Sequence, residues 1–226
     1  MFAKARRLAN PVARTGATIV FRRAASARFI AAVKTSPHPV KVAIGCADTT
    51  LPGWICTEYD LWQSHRFFLD AAKPWPIDPS SVDFVYGDNV VEHLTLGQAR
   101  AFLKAAFIAL APGGVVRLVT PDLERIARAY LDDPDMTTEH LERHRRHGYP
   151  IEHSADMLRV TYAYHGHHAG YVHDYASLST EFAAAGYVDI KRAETSESEV
   201  PELRGLEQRT EPTDRASSLV IEATRP

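Results

Sequence analysis

The segment VKVAIGCAD, residues 40–48, places a turn of small residues directly after a short apolar run. Val40–Ile44 is β-prone and is followed at once by Gly45, a pattern typical of a buried strand. A turn of small residues lets a ligand approach the backbone closely. The segment lacks the G-x-G-x-x-G fingerprint, which argues against a cofactor whose pyrophosphate needs a glycine-rich turn at a helix N-terminus. It therefore predicts a first strand that ends at a candidate ligand-binding turn.

Strand and helix patterns alternate outward from this segment. Further strands are predicted at 53–58, 65–70, 82–86, 115–119, 188–193 and 218–223, and amphipathic helices at 96–110, 121–131 and 175–185. Residues 132–170 are less regular and rich in His and Arg, and they predict an inserted helical cap. The alternation indicates an α/β fold with a doubly wound, mostly parallel, seven-stranded sheet. Such sheets bind ligands at the carboxyl ends of their strands.

Length and composition are those of one globular domain. The 226 residues are 45% hydrophobic and 24% charged, as expected for a single good core. No apolar run approaches the ~20 residues that cross a bilayer. Two cysteines cannot form a disulfide framework, and they favour a reducing compartment. We therefore expect a cytoplasmic protein without a membrane span, either a monomer or a homodimer.

Charge is distributed unevenly along the chain. The first 40 residues carry eight Lys or Arg and no acid, and the rest carries ten more acids than bases. Residues 1–36 are interpreted as a basic leader and a helix at about 18–34, and residues 37–226 as the domain with its cap. A transit peptide or an arm for an anionic partner is the alternative for the N-terminus. The acidic remainder argues against a nucleic-acid partner.

Two acids follow predicted strands. Glu58 ends the second strand, where a carboxylate can hold two ribose hydroxyls. Asp70 follows the third strand, where it can accept a hydrogen bond from an adenine amine. Either acid alone is more often a solvated loop residue. Their placement at successive strand ends beside Gly45 favours a nucleoside site.

Six motifs, in order, give the sequence a family resemblance. They are Val42–Asp48, Leu51–Trp54, Val82–Tyr86, Val91–Leu94, Leu110–Gly114 and Pro121–Arg125. Together they resemble class I S-adenosylmethionine-dependent methyltransferases of the type 11 group, most closely members associated with glycan and polysaccharide synthesis. Residues 201–207, PELRGLE, resemble a segment of the same members, so the resemblance covers roughly residues 40–225.

The resemblance implies S-adenosylmethionine as the cofactor and gives roles to eight residues. The turn of Gly45, Cys46 and Ala47 lies under the methionine part of the cofactor, and Asn89 and Val90 lie near its sulfonium. Glu58 holds the ribose, and Asp70 and Ala71 hold the adenine. Two features depart from the family. Ala47 stands where members usually have a second glycine, and only about eight residues separate the first two strands, too few for a crossover helix.

Methyl transfer to a hydroxyl needs a general base or a metal ion. Eight of the eleven histidines lie between positions 140 and 173. His140, His144 and His147 share one face of a helix if residues 137–147 are helical. A second group, His165, His167 and His168, lies beside Tyr162, Tyr164 and Tyr171 in the sequence. The candidate bases are His144, His167 and His168, and the candidate acceptor contacts are His93, Tyr164 and Tyr171. His93 also matches a family motif and is interpreted as bracing a helix start beside the donor.

No metal ligand is predicted. His140 and His144 lack a clear third partner, and nothing in the spacing requires Asp122 to bind Mg²⁺ with a cap carboxylate. The leading hypothesis is an O-methyltransferase that acts on a hydroxyl of a saccharide or glycan precursor, with a His base or metal assistance. The alternatives are a methyltransferase of another small metabolite and a non-catalytic binding module with the same fold. A nicotinamide oxidoreductase is disfavoured by the missing fingerprint.

Overall fold

A computed structural model describes residues 11–59, 67–209 and 211–226, with side chains from residue 21 onward. The N-terminal leader up to residue 10 and the first two residues of the predicted third strand lie outside the described residues. The predicted helix at 18–34 is part of a longer helix, α1, which spans Pro11–Thr35.

Within the residues that the structure describes, seven strands form one sheet in the order β3-β2-β1-β4-β5-β7-β6. The strands are β1 Lys41–Ile44, β2 Ile55–Glu58, β3 Phe67–Phe68, β4 Val82–Asp88, β5 Leu110–Pro121, β6 Val188–Ala193 and β7 Ser218–Thr224. The first five are parallel, and β7 runs antiparallel between β5 and β6. The predicted fold class is confirmed: this is a doubly wound, mostly parallel, seven-stranded sheet.

The remaining helices are α2 Leu96–Ala109, α3 Leu123–Asp132, α4 Pro134–Arg146, α5 Asp156–Ala163, α6 Tyr175–Ala185 and α7 Pro212–Ala216. Short 3-10 turns cover Val91–His93, His167–Ala169 and Pro201–Leu203. A capping box between Thr95 and Gln98 begins α2, and Gly186 ends α6 at φ +101°, where a side chain would be strained. Within the described residues, no helix has the length and hydropathy to traverse a bilayer.

Two connections bear on the sequence predictions. Residues 45–54 contain no helix, yet Val42 pairs with Ile55 in parallel, so the first crossover is the short loop that the spacing predicted. Strand β5 begins five residues earlier than predicted, because Leu110 is already extended and pairs with Val82. A Cβ at Gly114 would lie 2.9 Å from the carbonyl oxygen of Asp83, so a glycine is needed where β5 approaches β4.

The two faces of the sheet are covered differently. Helices α1, α2 and α6 pack on one face, where Phe29, Phe102 and Phe182 are fully buried. The other face packs against three loop residues, Leu51, Trp54 and Leu206. A third core joins α3, α4 and α5 and forms the cap over the carboxyl ends of the strands.

A buried charge cluster fixes one of these loops on the sheet. Arg117 of β5 bonds both oxygens of Glu207, at 2.7 and 2.9 Å, and Oε1 of Glu222 at 2.6 Å. Its guanidinium also donates to the carbonyl oxygens of Glu194 and Glu197. All three charged side chains are almost completely buried. The cluster therefore holds the connection between β6 and α7 against the sheet, next to the ends of β4 and β5.

Candidate functional site

Two cavities adjoin at the carboxyl edge of the sheet. The first, here the turn cavity, has a volume of about 370 Å³ and is lined chiefly by Gly45, Cys46, Ala47, Asp88, Asn89 and Arg209. The second, the histidine cavity, has a volume of about 330 Å³ and is lined chiefly by His93, His140, His144, His165 and His167. Asn89 and Asp214 line both cavities. A molecule in one cavity can therefore lie next to a molecule in the other.

The turn after β1 has a constrained backbone. Gly45 has φ +66° and Ala47 has φ +44°, in the region that favours glycine. An alanine in this conformation is strained, so a glycine would fit this position with less strain. The backbone N–H of Ala47 donates to Oε2 of Glu58 at 2.8 Å. The turn and the end of β2 are thus joined directly.

A charged pair, Asp88 and Arg209, also lines the turn cavity. Arg209 donates to both carboxylate oxygens of Asp88, at 2.5 and 2.7 Å, and its guanidinium is largely buried. Bidentate pairs of this kind are strong and fix orientation. Arg209 follows directly on the loop that Arg117 holds, so the wall of the cavity depends on that buried cluster.

The structure brings most of the predicted donor residues together. Gly45, Cys46, Ala47 and Asn89 line the turn cavity. Val90 packs beneath the turn, since a Cβ at Gly45 would lie 2.7 Å from its Cγ2. Asp70 accepts a hydrogen bond from the N–H of Ala72, and Ala71 is buried in the core. Like Glu58 and Val90, neither of these last two is among the described residues that line the two cavities.

Two buried histidines have a defined tautomer. Nδ1 of His144 lies 2.8 Å from the carbonyl oxygen of His140, and Nδ1 of His167 lies 2.7 Å from that of Thr161. A carbonyl oxygen can only accept, so each Nδ1 carries the proton. Nε2 of each neutral ring therefore has its lone pair available. This arrangement suits a base or a metal ligand.

The cavity keeps its histidines uncharged. Burial lowers the pKa of His144 and of His167 below the usual value. Burial, reinforced by neighbouring histidines, lowers the pKa of His140 to about 3 and that of His165 to about 4. The rings are close together, with centroids 4.4 Å apart for His140 and His144. At neutral pH these side chains are therefore uncharged.

Other predicted acceptor-side residues lie further out. His168 is exposed and is not among the described residues that line the two cavities. Tyr164 accepts a hydrogen bond from Arg159 and packs on Tyr149. Tyr171 is 41% exposed and contacts the ring of His173. Helix α4 carries the predicted 137–147 segment, but only His140 and His144 face the cavity, because His147 lies at its exposed C-terminal end.

Glu92 was not singled out from the sequence. Its side chain is fully buried, Oε2 accepts from Thr120 at 3.1 Å, and Oε1 has no hydrogen-bond partner among the described residues. Burial raises the pKa of this carboxyl to about 8. The ligand-type atoms of Glu92, His93 and His167 all lie within 4.8 Å of one another. Its neighbour in sequence, His93, was predicted only as an acceptor contact or a brace.

Asp122 has a structural role instead of binding a cation. Its carboxylate accepts from the N–H groups of Glu124 and Arg125 at the start of α3. It also pairs with the guanidinium of Arg192 at 2.5 Å. These contacts use both oxygens, so the structure gives no support to Mg²⁺ at this carboxylate.

The lowered pKa of His140 predicts an acid-sensitive cap. The unfolded ring has a pKa near 6.5 and the folded ring about 3, so below pH 6.5 the unfolded state binds the extra proton. Its contribution to stability is present above pH 6.5 and falls toward pH 3, by up to about 1.4 kcal/mol per pH unit. We expect urea unfolding of His140→Leu to depend less on pH between 7 and 4.5 than that of the wild type. Exposed His153→Ala is the control, and equal pH dependence of wild type and His140→Leu would contradict the prediction.

Comparison with known proteins gives likeness of fold alone. No family model matches the chain, and no curated protein does. A solved S-adenosylmethionine-dependent methyltransferase from Thermotoga maritima, described as a possible histamine N-methyltransferase, is similar at TM-score 0.47 and 15% identity, over 95% of this chain and 96% of that one. An S-adenosylmethionine-dependent methyltransferase from Archaeoglobus fulgidus is similar at TM-score 0.44 and 13% identity, over 90% of this chain and 94% of that one. Human N-acetylserotonin methyltransferase, solved with S-adenosylmethionine, is similar at TM-score 0.45 and 15% identity, over 91% of this chain and 52% of that one.

Proposed function

We propose that this protein is an S-adenosylmethionine-dependent O-methyltransferase that acts on a hydroxyl of a saccharide or glycan precursor. The observation that carries the proposal is the pair of cavities that share Asn89 and Asp214. One is lined by a tight backbone turn at a strand end, and the other by neutral histidines. Transfer between two bound molecules requires such adjoining sites, because holding both reactants in place can supply ~7–11 kcal/mol.

The turn cavity fits a donor without phosphate. Its volume lies within the ~300–1,000 Å³ typical of small-molecule sites. No helix starts within residues 45–54, all of which are described, so the turn lacks the helix N-terminus that binds a pyrophosphate. Bound there, S-adenosylmethionine supplies an activated methyl group on a sulfonium. In this proposal the turn and Asn89 hold the methionine end, and Glu58 holds the ribose.

The histidine cavity supplies the base. A hydroxyl is a poor nucleophile until it loses its proton, and a neutral imidazole can take that proton. His144 and His167 both present a free Nε2 lone pair, so either can act. Burial keeps each ring neutral near pH 7.

The polarity of the histidine cavity favours a saccharide. Besides its histidines, Asn89, Arg143, Asp214 and Ser217 line the cavity. These groups can hydrogen-bond several hydroxyls, whereas a lipid or quinone would leave them without partners. A different polar metabolite is the alternative acceptor. Transfer of a labelled methyl group to a panel of sugars and of non-sugar alcohols separates the two.

Donor binding is the experiment that tests the proposal. We expect calorimetry to show one S-adenosylmethionine per chain, and Glu58→Gln to weaken it about 10–100-fold, because hydrogen bonds to a charged acceptor contribute about 1.5–3 kcal/mol each. Asp70→Asn should add a smaller loss if it faces the adenine. Asp48→Asn, an exposed acid in the same turn, should leave affinity unchanged. A wild type that binds no donor would instead support a non-catalytic module with this fold.

The compartment is also a proposal. We place the protein in the cytoplasm, where two cysteines stay reduced. Cell fractionation with an antibody to the full chain tests this directly. Recovery outside the cell would contradict it.

A further inference from the structure

We propose that Glu92, His93 and His167 bind a divalent transition-metal ion of the zinc type at the wall of the histidine cavity. One carboxylate oxygen and two imidazole nitrogens lie within 4.8 Å of one another. Two histidines and one carboxylate are a common ligand set of catalytic zinc sites, which keep a further position open. The site does not appear among the sequence predictions.

The second observation is the unsatisfied oxygen of Glu92. Its side chain is fully buried, and Oε1 has no hydrogen-bond partner among the described residues. A buried polar atom without a partner costs about 1–3 kcal/mol. Thr120 already orients the carboxylate through Oε2. A cation within reach of Oε1 would satisfy this oxygen.

His167 is oriented as metal-binding histidines usually are. Nδ1 of His167 donates to the carbonyl oxygen of Thr161 at 2.7 Å, which leaves Nε2 as the ligand atom. A backbone acceptor of this kind orients a ligating ring and raises its basicity. The ring of His93 lies against Gly166, where an added Cβ would be 3.4 Å from its Nδ1. The two rings meet edge to face, with centroids 4.9 Å apart.

The backbone holds the two ligand segments against each other. Gly170 lies so close to the 3-10 turn of Val91–His93 that a Cβ on it would be 1.8 Å from the carbonyl oxygen of Glu92. The N–H of Tyr171 donates to the carbonyl oxygen of Leu94 at 2.9 Å. The ligands are therefore brought together by main-chain packing, so the site is largely formed before an ion binds.

The ligand types select the ion and its role. Imidazole suits zinc and related metals, whereas Mg²⁺ prefers an all-oxygen shell. His93 and His167 line the histidine cavity, so an ion bound by them would lie at the wall of that cavity, beside the proposed acceptor. There the ion can act as a Lewis acid on the acceptor hydroxyl. This last role rests on the proposed function; the metal site does not. With His167 as a ligand, His144 remains as the base.

Metal binding to the untagged full-length chain tests the proposal. After chelator treatment and equilibration with Zn²⁺, elemental analysis should find one ion per chain, and Co²⁺ should give a visible absorption band. Glu92→Gln, His93→Ala and His167→Ala should each weaken Zn²⁺ at least about 100-fold, since even outer partners of ligands cost 10–100-fold. His153→Ala should leave binding unchanged. If a buried variant fails to fold by circular dichroism, His93→Ala, whose ring is partly exposed, carries the test.

Several outcomes would overturn the site. The first is that the wild type binds no Zn²⁺, and the second is that folded His93→Ala binds Zn²⁺ with unchanged affinity. The third is that only His140→Ala loses Zn²⁺, which would place the ion at His140 and His144 instead. The assay contains no methyl donor, so its result is separate from the calorimetry above. A chain that binds zinc but no S-adenosylmethionine would refute the methyltransferase and support the metal site. A chain that binds S-adenosylmethionine but no zinc would refute the metal site and leave the methyltransferase standing.

Discussion

Arg117→Met is expected to lower the free energy of unfolding by about 3–5 kcal/mol, because removing one partner of a buried ion pair leaves uncompensated buried charge. Here Glu207 and Glu222 would both lose their counter-ion, although both side chains are at most 2% exposed. The loop that ends at Arg209 would lose its hold on the sheet. We therefore also expect donor binding to fail.

Urea unfolding of wild type and variant measures the effect. Arg100→Met is the matched control, because Arg100 also pairs with a glutamate through two hydrogen bonds of 2.8 Å, but its side chain is 59% exposed. Exposed pairs contribute about 0–1 kcal/mol. Equal losses in the two variants would show that the buried cluster contributes no more than a surface pair.

His144→Ala is expected to lower kcat about 10²–10⁴-fold, the usual contribution of a general base. The ring is buried in the cavity wall and its free Nε2 is the proposed proton acceptor. Donor affinity should not change, because His144 lines only the histidine cavity. In the wild type, burial lowers the pKa of His144, so kcat should fall only at a pH below the ordinary pKa of 6.5.

His147→Ala is the control for this variant. His147 lies one turn further along α4, and its Nδ1 makes the same bond to the carbonyl oxygen four residues earlier, at 2.8 Å, but it is exposed. It should retain full turnover. If His144→Ala turns over at the wild-type rate, the base lies elsewhere, and folded His167→Ala becomes the next test.

The strands and most helices could be predicted because their signals are local. Val40–Ile44 is apolar and ends at a glycine, and α6 is bounded by a capping residue and Gly186. The short first crossover was predicted from spacing alone. The predicted strand at 115–119 begins too late, because proline and glycine are unusual inside a strand, whereas the close approach to β4 requires Gly114 within the extended strand β5.

The site was only partly predictable, because its members are distant in sequence. The turn at residues 45–47 and Asn89 follow strands whose order the fold class implies. Glu92 and His167 are 75 residues apart, and a close approach at Gly170 brings them together. Nothing in the local pattern around either residue marks that approach. Similarly, the spacing of His140, His144 and His147 predicts the helical segment in α4, but it does not indicate which of the three imidazole rings are buried.

The antiparallel strand β7 has a consequence for biosynthesis. It pairs with β5, which ends roughly a hundred residues earlier in the chain. At translation rates of about 5–20 residues per second, the edge of β5 waits on the order of 5–20 s for its partner to leave the ribosome. Throughout that interval a long apolar edge is exposed to other nascent chains, so yield in cells should depend on chaperones that shield it.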